Sequence, residues 1–145
     1  MWQPFGLGSV LAMKVIVAGS RGFKDYALLK EFLDKLVIFR SDFTEIVSGT
    51  ASGADKLGER YAQEHNLAIK RFPADWEKYG KAAGHIRNRQ MAEYADACVV
   101  FWDGQSKGSA NMAKVARELK LPLVVVNYKV RKYRMVNVDE FKQSD

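Results

Sequence analysis

Short apolar runs rich in β-branched residues alternate along this chain with glycine-rich loops and with stretches of helical periodicity. That alternation restricts the fold more than any other feature. Lys14-Val15-Ile16-Val17-Ala18 runs directly into Gly19-Ser20-Arg21-Gly22, and Thr44-Glu45-Ile46-Val47-Ser48 into Gly49-Thr50-Ala51-Ser52-Gly53-Ala54-Asp55. Ala97-Cys98-Val99-Val100-Phe101-Trp102 leads in the same way to Gly104-Gln105-Ser106-Lys107-Gly108-Ser109. Runs with no polar face predict strands buried on both sides, as in a parallel sheet whose crossover helices cover both faces. Between them, residues 25–39 place Leu28, Leu29, Phe32, Leu33 and Leu36 at helical spacing, with Asp25 as the N-cap. Further helices are predicted over 52–66, 85–94 and 107–119, and further strands over 67–72 and 121–127. The pattern predicts an α/β protein: a doubly wound, mainly parallel sheet of about five strands with helices on both faces.

A chain of 145 residues with 48% apolar content suits one domain with a real core. That domain is expected over 13–128. Residues 1–12, MWQPFGLGSVLA, show neither helical nor strand periodicity and read as a leader or an alternative start. Residues 129–145 form a tail in which 132–138 reads as an edge strand. The twelve residues from Pro73 to Gly84 lack clean periodicity and read as a long functional loop.

The single cysteine, Cys98, lies inside an apolar run and reads as a core residue, so no disulfide forms within the chain and a reducing cytoplasm fits. No apolar run approaches the roughly 20 residues of a membrane span. The formal charge of +6 and a pI near 9.4 favour anionic partners, nucleic acid included. Part of that excess, Lys129, Arg131, Lys132 and Arg134, falls in the tail, a cluster too short to name a partner. His65, His85 and Cys98 make no zinc pattern, and neither a metal nor a cofactor is expected.

In a parallel sheet the loops after the strands open at one edge, so the three glycine-rich loops are expected to meet there on one ligand. A helix N-terminus offers unpaired N–H groups and partial positive charge, and glycine lets backbone approach a phosphate closely. Gly49, Thr50, Ser52 and Gly53 fit that role in the second loop, where Asp55 suits a ribose hydroxyl or a helix cap. Gly19, Ser20, Arg21 and Gly22 set a fixed cation between glycines, and Gly104, Lys107, Gly108 and Ser109 form a further anion nest. Arg87 and Arg89 lie two apart on a helix, so one of them at most faces the site. Trp76 is a stacking platform for a base.

Five ordered blocks carry a resemblance: Val17 to Gly22, Ser48 to Asp55, Phe72 to Trp76, Ala83 to Met91, and Gly108 to Met112. Together they resemble the YspA-type branch (DUF2493 group) of the SLOG superfamily, across about Met13 to Asn127. The resemblance implies a Rossmann-like fold and a site for nucleotide-derived ligands such as ADP-ribose, NAD-related molecules or signalling nucleotides. It also implies a homo-oligomer. Lonely Guy phosphoribohydrolases of the same superfamily have a similar arginine-to-methionine spacing at Arg87 to Met91. Met112, however, stands where those enzymes have the glutamate that assists N-glycosidic cleavage, and a thioether cannot move a proton.

Binding or sensing of a phosphorylated nucleotide derivative is therefore the leading expectation. An N-glycosidic hydrolase using Asp55 or Asp75 is the alternative. Single-stranded nucleic-acid binding is the second alternative, since DprA, a DNA-processing protein, contains a similar domain.

Overall fold

A computed structural model describes residues 12–39 and 42–137. Its elements are β1 (Met13–Gly19), α1 (Tyr26–Phe39), β2 (Phe43–Ser48), α2 (Ala54–Glu64), β3 (Ala68–Arg71) and α3 (Trp76–Tyr79). A 3-10 turn (Gly80–Ala82) then leads to α4 (Ala83–Tyr94), β4 (Ala97–Trp102), α5 (Lys107–Glu118), β5 (Leu123–Asn127) and β6 (Lys132–Val136). The six strands form one sheet in the order β3-β2-β1-β4-β5-β6. Neighbours are parallel except β6, which returns antiparallel along β5. The fold is the doubly wound α/β arrangement that the alternation predicts, Rossmann-like as the resemblance implies, with β6 adding an antiparallel edge.

Chain direction across the sheet reverses at β1. The chain moves outward from β1 to β2 and β3, then crosses back to place β4 on the other side of β1. Such a switch point parts the loops on either side and opens a crevice at the carboxyl ends of the strands. Alternate residues of the central strands feed two cores. Val15, Val17, Val99 and Phe101 pack with Phe23, Leu29, Leu33 and Tyr61 on the α1/α2 face. Ile16, Ala18, Cys98 and Val100 pack with Met91, Ala92, Met112 and Ala116 on the α4/α5 face. Burial on both faces is why these strands read as unbroken apolar runs. Cys98 lies in the second core, where burial pushes its thiol pKa up.

Local chemistry sets several boundaries. Asp25 Oδ1 accepts from Leu28 N at 3.0 Å and caps α1. Asn66 and Lys120, with φ of 56° and 62°, reverse the chain just beyond α2 and α5. The stretch 73–84 departs from expectation: it is mostly helical, with Asp75 Oδ1 accepting from Lys78 N at 3.0 Å to start α3. Its two short pieces bury none of their side chains, and so they leave no apolar period for a sequence to show. The expected leader, apart from Ala12, and the end of the tail from Val138 lie outside the described residues. No helix among the described residues is long and apolar enough to cross a membrane.

Candidate functional site

A cavity of about 440 Å³ opens at the switch point. The loop after β1 gives it Gly19, Ser20, Arg21 and Gly22, the loop after β2 gives Ala51 and Asp55, and the start of α5 gives Ser106, Gly108 and Ser109. A fourth wall comes from α3, the 3-10 turn and α4 with Trp76, Lys81, Gly84, His85, Arg87 and Asn88, while Met91 and Met112 line it from the apolar core beneath. All three glycine-rich loops thus meet at one edge of the sheet.

The helices whose first turns line the cavity differ from α1 in one respect. Neither α2, α4 nor α5 has a side chain capping its N-terminus, whereas Asp25 caps α1. The uncapped first turn of α5 leaves N–H groups and the positive end of its dipole facing the cavity, as does that of α2 beyond Ala54, whose N–H is taken by the Ser20 carbonyl at 3.4 Å. Helix α4 instead continues the 3-10 turn, and its Ala83 N–H donates to the Gly80 carbonyl. Ser109, 6% exposed, adds a hydroxyl with no hydrogen-bond partner among the described residues. Buried polar groups are nearly always paired, so such a hydroxyl fits a ligand atom or a water.

The loops are braced from behind. Ser48 Oγ donates to Glu59 Oε2 at 2.6 Å and accepts from Thr50 N at 3.0 Å, while Arg71 reaches Glu59 Oε1 at 3.1 Å. Burial pushes the Glu59 pKa up, but Ser48 and Arg71 outweigh it, and the carboxyl stays ionised below its ordinary value. Arg87 donates to the Gly49 carbonyl through one terminal nitrogen and to Asn88 Oδ1 at 3.0 Å. Asn88 Nδ2 in turn donates to the Gly108 carbonyl at 3.2 Å and to Asn111 Oδ1 at 2.9 Å. Two adjacent residues of α4 therefore tie the second loop to the third. The first and third loops join where Ser20 Oγ accepts from Asp103 N at 3.0 Å and lies 3.1 Å from Ser106 Oγ. Asp103 accepts from the Ser106 and Gln105 backbone, which holds its pKa down at about 2.

Asp55 is the chemically unusual group. It is 4% exposed, and burial pushes its pKa up to about 6 against the opposing pull of the Ala51 N–H at 3.1 Å and of the Arg87 charge. The Arg87 guanidinium is itself lowered by burial, partly offset by Asp55. A carboxyl near neutrality at a cavity wall accepts a hydroxyl hydrogen bond when ionised and donates one when protonated.

Several residues singled out from the sequence do not line the cavity. Gly49 and Gly53 pack behind it, with Gly49 against Arg87 and Asp55 and Gly53 against the Ser20 and Arg21 backbone. Thr50 (φ 67°) and Ser52 sit in the turn beyond the lining, Lys107 is exposed outside it, and Gly104 faces Asn127 in a separate hollow. Arg89 points elsewhere, its Nε 3.3 Å from Glu93 Oε2. Asp75 is a helix cap and also lies off the lining. The sequence reading missed Lys81, His85, Asn88 and Ser106. Gly84, Asn88 and Met91 fall at i, i+4 and i+7 on α4, but a glycine and an asparagine give that face no apolar period to read.

Comparison with known proteins agrees with this architecture. The profile of the YspA, cpYpsA-related SLOG family matches residues 13–79. The Gene 61 protein of Mycobacterium phage D29 is 34% identical over 119 residues, which cover 77% of this chain and 94% of that protein. Among solved structures, DNA processing protein A (DprA) from Streptococcus pneumoniae aligns with a TM-score of 0.61 at 17% identity, over 82% of this chain and 51% of that one. The chain thus spans about half the length of that protein. DNA processing protein A from Helicobacter pylori aligns with a TM-score of 0.60 at 19% identity, over 97% of this chain and 76% of that one. With its matching profile, its similar phage relative and its shared fold, this chain belongs to the YspA, cpYpsA-related SLOG family.

Proposed function

We propose that this protein binds a phosphorylated nucleotide derivative, such as ADP-ribose, an NAD-related molecule or a signalling nucleotide, in the cavity at the switch point. The observation that carries this reading is the meeting of the uncapped first turns of α2 and α5 and the unpartnered Ser109 hydroxyl around one space. Phosphate sits at the Gly19–Gly22 backbone, Arg21 and Ser109. Asp55 takes a ribose hydroxyl, and Trp76, 51% exposed on the rim, stacks on the base. The buried Cys98, with no disulfide formed in the chain, suits a reducing cytoplasm for this activity.

Arg21 is exposed and makes no ion pair with a described residue, so its removal costs binding rather than folding. A charge-assisted bond to phosphate contributes about 1.5–3 kcal/mol, or roughly 10- to 150-fold in affinity. Titration calorimetry of ADP-ribose and AMP against wild type and Arg21→Ala is expected to show that loss with an unchanged melting temperature. Equal affinities, or no binding of any mononucleotide derivative by wild type and none co-purifying in native mass spectrometry, defeat the reading.

Hydrolysis of the bound nucleotide has weaker support. Met112, 1% exposed, lines the cavity as an apolar thioether, and Asp55 is the single carboxylate on the lining. Chromatography of AMP, GMP and CMP incubations is expected to show no appreciable free base. Base release that vanishes in Asp55→Asn would make the protein an N-glycosidic hydrolase instead. Nucleic acid as the partner has a specific observation in its favour: the Helicobacter pylori neighbour is described by its single-stranded DNA binding mode.

A further inference from the structure

A second hollow of about 540 Å³ lies between α5 and the β5–β6 hairpin, away from the nucleotide cavity. Its floor is apolar, formed by Trp102, Val125 and Val136 beside Ala110 and Ala113 of α5. The two alanines keep the helix wall low, so the half-buried Trp102 indole remains reachable. The rim is basic, with Arg117 on α5 facing Lys132 and Arg134 on β6. None of these three cations is ion-paired with a described residue. No acidic side chain among the described residues lines the hollow.

Toward the carboxyl edge of the sheet the hollow shares Asn127 and Val130 with a neighbouring one that adds Lys129, Gly104 and Gln105. The carboxylate there, Asp103, is already taken up by the Ser106 and Gln105 backbone. Ser106 closes the distance to the nucleotide cavity: it lines that cavity, and its carbonyl accepts from the Trp102 indole at 3.0 Å.

We propose that this groove binds the backbone and bases of a single-stranded nucleic acid. Phosphates lie along Lys129, Lys132, Arg134 and Arg117, and an unpaired base rests on the apolar floor against Trp102. An apolar floor with a basic rim matches a strand whose bases are free to turn inward, whereas a duplex keeps its bases stacked and offers mainly phosphates. Repulsion between like-charged rims also disfavours a second copy of this chain as the occupant. The groove is distinct from the nucleotide cavity, so either assignment can fail without the other.

The test uses the full chain, fluorescein-labelled dT12, the same label on a 12-base-pair duplex, and the double variant Arg117→Ala/Arg134→Ala. Wild type is expected to bind dT12 at least tenfold more tightly than the duplex. The double variant should weaken dT12 binding about tenfold or more and flatten the slope of log K against log salt by roughly 1.4, two phosphate contacts at about 0.7 each. Its melting curve and its affinity for ADP-ribose or AMP should match wild type. Lys132→Gln serves as a milder second variant, with a several-fold loss, should the double variant melt early. The proposal is overturned if wild type fails to bind dT12, if the duplex binds equally well, or if the groove variants leave dT12 affinity and its salt slope unchanged. Loss of dT12 binding in Arg21→Ala alone would place the strand in the cavity and equally overturn it.

Discussion

Gly53→Ala is expected to lower the melting temperature by roughly 10 °C, a loss of about 3 kcal/mol or more for a chain of this size. Gly53 has φ 82° and ψ −129°, a backbone conformation that L side chains rarely adopt and whose cost is about 1–3 kcal/mol. Space adds to strain. A Cβ at this position would lie 2.3 Å from the Ser20 carbonyl oxygen and 2.5 Å from that of Arg21, both backbone atoms that cannot swing aside. The second loop can only relax by pushing the first away, so the lining between Ser20 and Gly22 moves with it. Gly22→Ala is the control, because nothing lies within 4 Å of the added carbon. Thermal melts of the two variants beside wild type check the result. A Gly53→Ala protein as stable as Gly22→Ala would mean that the loops are not locked together in solution.

Asp55→Asn is expected to stabilise the protein above neutral pH and to do nothing below about pH 4. Burial raises the Asp55 pKa from its ordinary 3.8 to about 6, so between those values the folded state holds a proton that the unfolded state has released. Folding stability from this group therefore falls as pH rises through the window, and the full penalty remains above it. Two units correspond to at most about 3 kcal/mol, and roughly 1–3 kcal/mol is expected once the new amide must find partners. Asparagine keeps an oxygen to accept from Ala51 N, so the loop itself survives. Melting both proteins from pH 4 to pH 8 should give curves that coincide in acid and separate toward neutrality. A constant difference across that range would show that Asp55 ionises at its ordinary value.

Much of the fold was legible because its signals are local. Parallel strands buried on two faces must be apolar throughout, and Val15 to Ala18 or Ala97 to Phe101 are so in the chain itself. The helices they alternate with carry their own period and, in α1, their own cap. Strict alternation then leaves few ways to connect the strands, and a carboxyl-edge cleft comes with the topology. The stretch from Trp76 to Ala82 was not legible, because short helical turns that bury no side chain have no pattern to read.

Which residues face the cavity was decided elsewhere. Lys107 and Ser109 belong to one glycine-rich segment, yet helical rotation sends Lys107 to solvent and Ser109 into the cavity. Gly49 and Gly53 look in sequence like phosphate contacts, and the fold spends both on close packing between loops and side chains. Asn88 looks like any polar helix residue, but its amide joins α4 to the third loop across twenty positions of sequence. Asp55 acquires its raised pKa from burial that no neighbour in the chain supplies. The sequence alone determined the α/β alternation and the three loops, since backbone propensity and hydrophobic period act over a few residues. Only the tertiary structure decided the lining of the cavity and the charge state within it, since direction, burial and long-range partners exist only once the helices have docked on the sheet.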